Sequence, residues 1–236
     1  HLEGFGSFEG VKKTKAELYD YIFGQGEAIF INSDNKHLTE MAIKAGFDMK
    51  NRVHTYSLDS ENTLCPVHGS VCAGAPFLDM KCTLRNSPDF DIHTKLIGSY
   101  NAENVLAAVA IGDFFGVAAE TIKKGLENYT PQNNRSQLTV TDRNKLVVDA
   151  YNANPTSMRA ALLNFGEMDV EHKVVILGDM LELGDQSDEE HQNIVRLIGQ
   201  FAFEKVILVG PQFKKTQHNF ESYENIADLK NNTALL

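Results

Sequence analysis

From Leu146 to Val209, short apolar runs alternate with helical patterns. That alternation restricts the second half of the chain to a parallel sheet wrapped by helices. The runs fall at 146–150, 174–177 and 206–209, and helical spacing falls at 155–165 and 188–201. The sharpest strand–helix junction is DAYNANPTSM, Asp149 to Met158. Leu146-Val147-Val148 runs into it, and Met158, Ala161, Leu162 and Phe165 leave it on one helical face. Asn154 is placed to cap that helix, with Pro155 in its first turn. Asp149, Tyr151, Asn152 and Asn154 then sit at the carboxyl end of a strand, where open α/β sheets bind ligands. A plain connection with a good cap explains the same spacing. The next strand ends in GDMLELG, 178–184, which predicts Asp179 and Glu182 beside Asp149. Ser187 and Glu190 carry the S-x-x-E capping-box pattern for the following helix.

The first half is organised differently. Val11, Lys15, Leu18 and Ile22 share one helical face, which predicts a core stripe with a lysine in it. Such a lysine either snorkels its ammonium to the surface or is held in a site with a perturbed amine. Ala28-Ile29-Phe30-Ile31 suits a strand buried on both faces, followed by the polar loop Asn32–Asn35 and a helix on Leu38, Met41, Ala42 and Ala45. Strands are expected at 53–58, 77–84 and 92–97, the last two alternating as half-exposed antiparallel strands do. His54, His68 and His93 read as surface residues. A long helix is expected from Gly98 to Phe115, with Ser99 as its cap and Asn101 and Asn104 on neighbouring positions of one face. Two carboxamides there suit a planar donor–acceptor edge such as adenine, although polar residues also simply favour a first turn. A second helix, 118–128, precedes the polar stretch Tyr129–Asn134, where the domain boundary is placed.

Net charge narrows the function. At −10 over 236 residues the chain is unsuited to general nucleic-acid binding, which depends on neutralising phosphates. The three cysteines, Cys65, Cys72 and Cys82, include no C-x-x-C pair and fit a reducing cytoplasm. No apolar run approaches the roughly 18–20 residues of a membrane span. The opening at His1 and the ending at Leu236 read as cuts, so a fragment of a longer protein is expected.

The stretches HLEGFGSFEGVKKTKAEL (1–18), GSYNAENVLAA (98–108), NRSQ (134–137), VDAYNANPTSM (148–158) and LGDMLELG (177–184) together resemble the Mur ligases of bacterial cell-wall synthesis. The pairing of DAYNANPTSM with GDMLELG is similar to the branch that joins D-Ala-D-Ala to UDP-N-acetylmuramoyl-tripeptide. The resemblance implies an α/β chain: part of a central ATPase domain, a mixed sheet with helices, at 1–131, then a truncated Rossmann-like parallel-sheet domain at 132–236. It implies ATP-dependent amide formation through an acyl phosphate, with Mg2+. The UDP-binding domain and the glycine-rich phosphate loop of GTNGKT type are not in this sequence, so the chain alone is expected to turn over no ATP.

The resemblance also carries roles. His1 and Lys15 match the metal ligands, the lysine as a carbamate, which is an anionic oxygen donor suited to magnesium. Asn101 and Asn104 match the adenine-binding H-N-x-x-N motif, whose histidine is here Tyr100. Arg135 matches an arginine that reaches ATP phosphate, and Asp149 an acid at the ribose hydroxyls. Tyr151, Asn152, Asn154 and Thr156 fall where nucleotide and dipeptide meet. Two other readings remain: a non-catalytic nucleotide-binding module of doubly wound fold, and a related ligase such as a folylpolyglutamate synthetase.

Overall fold

The computed structural model describes residues 2–62, 65–132 and 134–232. The chain forms two compact units, Phe5–Val148 and Asp149–Leu236, the second including the first residues of the chain.

A single turn of helix, α1 (Leu2–Phe5), precedes α2 (Phe8–Gln25). Ser7 is extended and its hydroxyl accepts the Gly10 N–H at 3.0 Å, which starts α2; Gly26, at φ +82°, ends it. The guanidinium of Arg52 then binds the last carbonyls, Ile22 at 3.3 Å and Phe23 at 3.0 Å, while lying 5.2 Å from the rings of Phe23 and Phe47. Next come β1 (Ile29–Asn32), α3 (Lys36–Lys44), β2 (Val53–Ser57), β3 (Val67–Ala73), β4 (Asp79–Leu84) and β5 (Ser87–His93). These strands form one sheet in the order β1-β2-β3-β4-β5, parallel from β1 to β3 and antiparallel from β3 to β5. α4 (Ala102–Phe114) packs across β1 to β4, and α5 (Ala119–Asn128) packs on β5. Their shared core is Val67, Leu78, Met80, Cys82 and Ile92 against Val105, Leu106 and Val109. A second cluster, Ile29, Ile31, Ala42, Phe47 and Val53, joins β1 to α3. The unit closes with a hairpin, β6 (Gln137–Val140) and β7 (Lys145–Val148).

In the other unit α6 (Pro155–Glu167), β8 (Val174–Gly178), α7 (Ser187–Ile198), β9 (Lys205–Val209), α8 (Pro211–Lys215), β10 (Glu221–Tyr223) and α9 (Ile226–Asn232) follow in order. The three strands are parallel, in the order β10-β9-β8. Met158, Leu162, Val175, Ile194, Ile198, Leu208 and Phe213 form the core. A mixed sheet with helices followed by a parallel-sheet α/β unit is the expected class.

Several expectations are corrected. The strand expected to begin the parallel sheet, 146–150, pairs instead with β6 in a two-stranded antiparallel ribbon. The turn 141–144, closed by the Thr141 N–H on the Asn144 carbonyl at 2.8 Å, brings that local partner alongside. The sequence does not announce β3: Gly69 and Ser70 blur its alternation, yet Gly69 is needed there, because a Cβ would lie 2.6 Å from the Lys81 carbonyl oxygen. The strand expected at 92–97 runs from Ser87 to His93, ending where the Thr94 hydroxyl turns onto the Leu78 carbonyl at 2.8 Å. Ser99 and Ser187 cap nothing: α4 and α7 are each entered through a 3-10 turn, which leaves no extended residue to act as N-cap. His54 is not a surface group. It is half-buried, 4.3 Å from the Phe114 ring, and burial lowers its pKa.

Burial also separates the thiols. Cys65 and Cys82 are buried and Cys72 is exposed. Burial, with smaller contributions from Cys72 and Asp91, pushes Cys82 up to about 12. Alkylation of the native chain with iodoacetamide is expected to modify Cys72 alone, since the thiolate is the reactive form. Mass spectrometry finding equal modification of Cys82 would contradict this packing.

Candidate functional site

The entrance to α4 is built around one glycine. Gly98 has φ +91°, and a Cβ there would lie 2.2 Å from the ring of Tyr100. Its absence lets the ring fold back along the 3-10 turn Ser99–Asn101. The Tyr100 hydroxyl then lies 2.7 Å from the hydroxyl of Ser136. The half-buried Asn101 donates from Nδ2 to the Ile97 carbonyl at 2.9 Å and to Ser136 Oγ at 3.4 Å, while its Oδ1 accepts from Asn104 Nδ2 at 3.3 Å. Asn101 is thus committed to protein partners, and Asn104 is the exposed carboxamide of the pair.

The NRSQ segment is held in an unusual shape. Asn134 and Ser136 adopt left-handed backbone, φ +56° and +47°. For residues with a Cβ this costs roughly 1 kcal/mol each. Ser136 is 4% exposed, and Gln137 Oε1 accepts the Asn134 N–H at 3.3 Å. Arg135, between the two left-handed residues, is exposed.

In the other unit, the DAYNANPTSM stretch follows its sequence reading at the helix start. Asn154 is extended, its Oδ1 accepts the Ser157 N–H at 2.9 Å, and Ser157 Oγ accepts the Asn154 N–H at 3.3 Å, with Pro155 at the first helical position. Asp149, Tyr151, Asn152 and Thr156 are all exposed.

Asp179 is the main departure. The sequence places it at the ligand edge beside Asp149; in the structure it turns inward. Its side chain is 9% exposed. Its Oδ2 accepts the Gln212 N–H at 2.8 Å and its Oδ1 the Phe213 N–H at 2.9 Å, tying the end of β8 to the start of α8. Gly210, at φ +131°, makes room, since a Cβ would lie 2.2 Å from Asp179 Cγ. The fully buried His191 accepts the Met180 N–H on Nε2 at 3.0 Å. Its Nδ1, 2.7 Å from the Ser187 carbonyl, therefore carries the proton, and the ring is neutral. Much of GDMLELG is thus an internal brace. Glu182 is exposed, with φ +62°.

The residues assigned to metal give less. His1 lies outside the described residues. Lys15 is exposed on α2, and the stripe expected to contain it is no core: Leu18 is 59% exposed and no residue of α2 is buried. Of that stripe Ile22 packs, half-buried, against the β1–α3 cluster, together with Tyr19 from outside the stripe. Among the described residues no three His, Cys, Asp or Glu side chains group to hold a metal. An amine offers magnesium no oxygen ligand until it becomes a carbamate, so these residues alone do not compose a magnesium site.

Sequence reasoning missed the partnership of Tyr100 with Ser136 and the role of Asp34. The Asp34 carboxylate accepts the Ser57 hydroxyl at 2.5 Å and the Leu58 N–H at 2.7 Å, clamping the polar loop after β1 to the end of β2. Nothing in the spacing signals either contact, because each joins residues distant in sequence.

Two family models match nearly the whole chain: the Mur ligase middle domain over residues 1–112 and the Mur ligase glutamate ligase domain over residues 134–234. The chain belongs to the Mur ligase family. Among characterised Mur ligases, the UDP-N-acetylmuramoyl-tripeptide–D-alanyl-D-alanine ligase of Escherichia coli is 32% identical over 90% of this chain and 46% of its own length. A crystal structure of MurF from Acinetobacter baumannii superposes with a TM-score of 0.80 at 25% identity, covering 96% of this chain and 49% of that one. The Thermotoga maritima MurF in complex with ADP gives a TM-score of 0.75 at 16% identity over 99% of this chain and 53% of that one, a likeness of fold. The chain therefore spans about half the length of the Mur ligases it matches. Among the described residues no helix is long and apolar enough to cross a membrane.

Proposed function

We propose that this chain supplies part of the catalytic machinery of a cytoplasmic ligase that joins D-Ala-D-Ala to UDP-N-acetylmuramoyl-tripeptide at the expense of ATP. Residues 1–131 are read as the later part of the central ATPase domain and residues 132–236 as the Rossmann-like C-terminal domain, in line with the two family matches. The observation that carries the reading is the cluster at the start of α4. There GSYNAEN and NRSQ, far apart in sequence, meet through Tyr100, Asn101 and Ser136. Nucleotide binding by a homologue of the same fold, the T. maritima MurF with ADP, supports it.

The tripeptide carboxylate is activated as an acyl phosphate, which the amine of D-Ala-D-Ala attacks as phosphate leaves. The roles follow from the side chains. Asn104 presents a donor and an acceptor to the edge of adenine, with Asn101 holding its orientation. Arg135 offers a fixed cation to charge developing on transferred phosphate, where electrostatic stabilisation is worth most. Asp149 accepts the ribose hydroxyls. Tyr151, Asn152 and Asn154 border the nucleotide, Asn154 through the amide nitrogen its capping role leaves available. Once carbamylated, Lys15 would with His1 hold Mg2+, which would neutralise charge on the transferred phosphate. Neither nucleic acid nor membrane is a partner.

The test is amide ligation by the complete ligase that carries this sequence. D-Ala-D-Ala is expected to be joined to the nucleotide-linked tripeptide in preference to D-Ala or L-amino acids. The 236-residue chain alone is expected to release no phosphate from ATP above a Lys15→Ala control. Equal use of L-glutamate would move the assignment to another ligase of the fold. Phosphate release by the chain alone would overturn the expectation that it needs a separate phosphate loop.

A further inference from the structure

We propose that Tyr100, Asn101 and Ser136 form a latch that positions Arg135 and Asn104 together, with Tyr100 as its positioning residue. The role in nucleotide handling rests on the function proposed above; the latch itself stands on geometry. Four observations carry it. Ser136 is buried to 4% exposure, and its hydroxyl meets both Tyr100 Oη at 2.7 Å and Asn101 Nδ2 at 3.4 Å. Its backbone is left-handed, as is that of Asn134, so the segment carrying Arg135 keeps its bend only while something outside it holds the bend. The Tyr100 ring has a seat made for it, since no residue but glycine at 98 leaves room. Finally, Asn101 bonds Ser136 with one end and Asn104 with the other, so a single cluster joins the backbone that carries Arg135 to the exposed carboxamide of Asn104.

The chemistry is specific to these side chains. A phenol extends far enough from the start of α4 to reach a hydroxyl 36 positions later; that hydroxyl accepts an amide N–H from Asn101 and shares a hydrogen bond with the phenol, in which either oxygen can donate. Removing the phenol oxygen leaves the ring in its seat and the helix start unchanged. It withdraws the contact to the buried hydroxyl, whose loss is felt at 134–137.

Tyr100→Phe separates positioning from folding. Hydrogen exchange of the free chain is expected to rise about tenfold at residues 134–137, with the β3 and β4 amides unchanged. Ser136→Ala, which removes the contacts to both Tyr100 and Asn101, should raise exchange at least as much, and the double variant no more than Ser136→Ala alone, because both substitutions remove the Tyr100–Ser136 contact. Titration with ADP is expected to show weaker binding for Tyr100→Phe, and this loss should vanish in a background with both Arg135 and Asn104 cut to Ala, the two side chains through which Tyr100 acts. Unchanged exchange at 134–137, or independent effects of the two substitutions, would overturn the latch. A full Tyr100→Phe effect on ADP in a background with both Arg135 and Asn104 cut to Ala would overturn its positioning role. If the unaltered chain binds no ADP, the nucleotide-binding roles given to its own residues fall, while exchange at 134–137 still decides the latch.

Discussion

Asp179→Ala is expected to destabilise the Asp149–Leu236 unit by about 3 kcal/mol, a large share of the stability of any unit this size. The carboxylate is almost buried and accepts two backbone N–H groups, from Gln212 and Phe213. Bonds to a charged acceptor contribute roughly 1.5–3 kcal/mol each, and removing the acceptor strands both donors beside a void. The neutral His191 ring, 3.8 Å from Asp179, gives no substitute. Gly210→Ala should cost about as much by the opposite route. Its Cβ would overlap the carboxylate at 2.2 Å, in a backbone conformation that residues with side chains rarely adopt. Exchange of the β9 amides should accelerate about a hundredfold in both variants. Asp179→Asn, which keeps one acceptor oxygen and the shape, should fall in between. Exchange in Asp179→Ala within twofold of the parent would mean that the brace is not what holds β8 to α8.

The features legible in sequence are those fixed by neighbours along the chain. Asn154 with Pro155 marks a helix start because the cap and its N–H partner at Ser157 are three residues apart. The β8–α7–β9 order follows from two apolar runs, at 174–177 and 206–209, separated by a helical pattern. What could not be read depends on partners distant in sequence. The apolar run Leu146-Val147-Val148 predicts a strand but not the strand's neighbour, and the turn at 141–144 decides for β6. Asp179 carries the same carboxylate whether it faces a ligand or the N–H groups of Gln212 and Phe213, and only the close approach at Gly210 distinguishes them. Lys15 misleads for another reason: a helical stripe says which residues share a face, not whether anything covers it. Tyr100 departs from the family motif, and its use becomes visible only once Ser136 is placed 2.7 Å away.

The proposed function gives Asn104 the base of a nucleotide and Asp149 the sugar hydroxyls of one. Each loses a hydrogen-bonding group when cut to Ala, and each is exposed, so neither substitution should disturb a core. A lost bond of about 1.4 kcal/mol is a tenfold change in affinity. Binding of ADP to the isolated chain is expected to be weak, because the loop that would cradle its phosphates is not part of this sequence. Calorimetric titration with ADP is therefore the decisive measurement. The expected result is saturable binding that weakens about tenfold in Asn104→Ala and again in Asp149→Ala; identical titrations for the parent chain and both variants would contradict it.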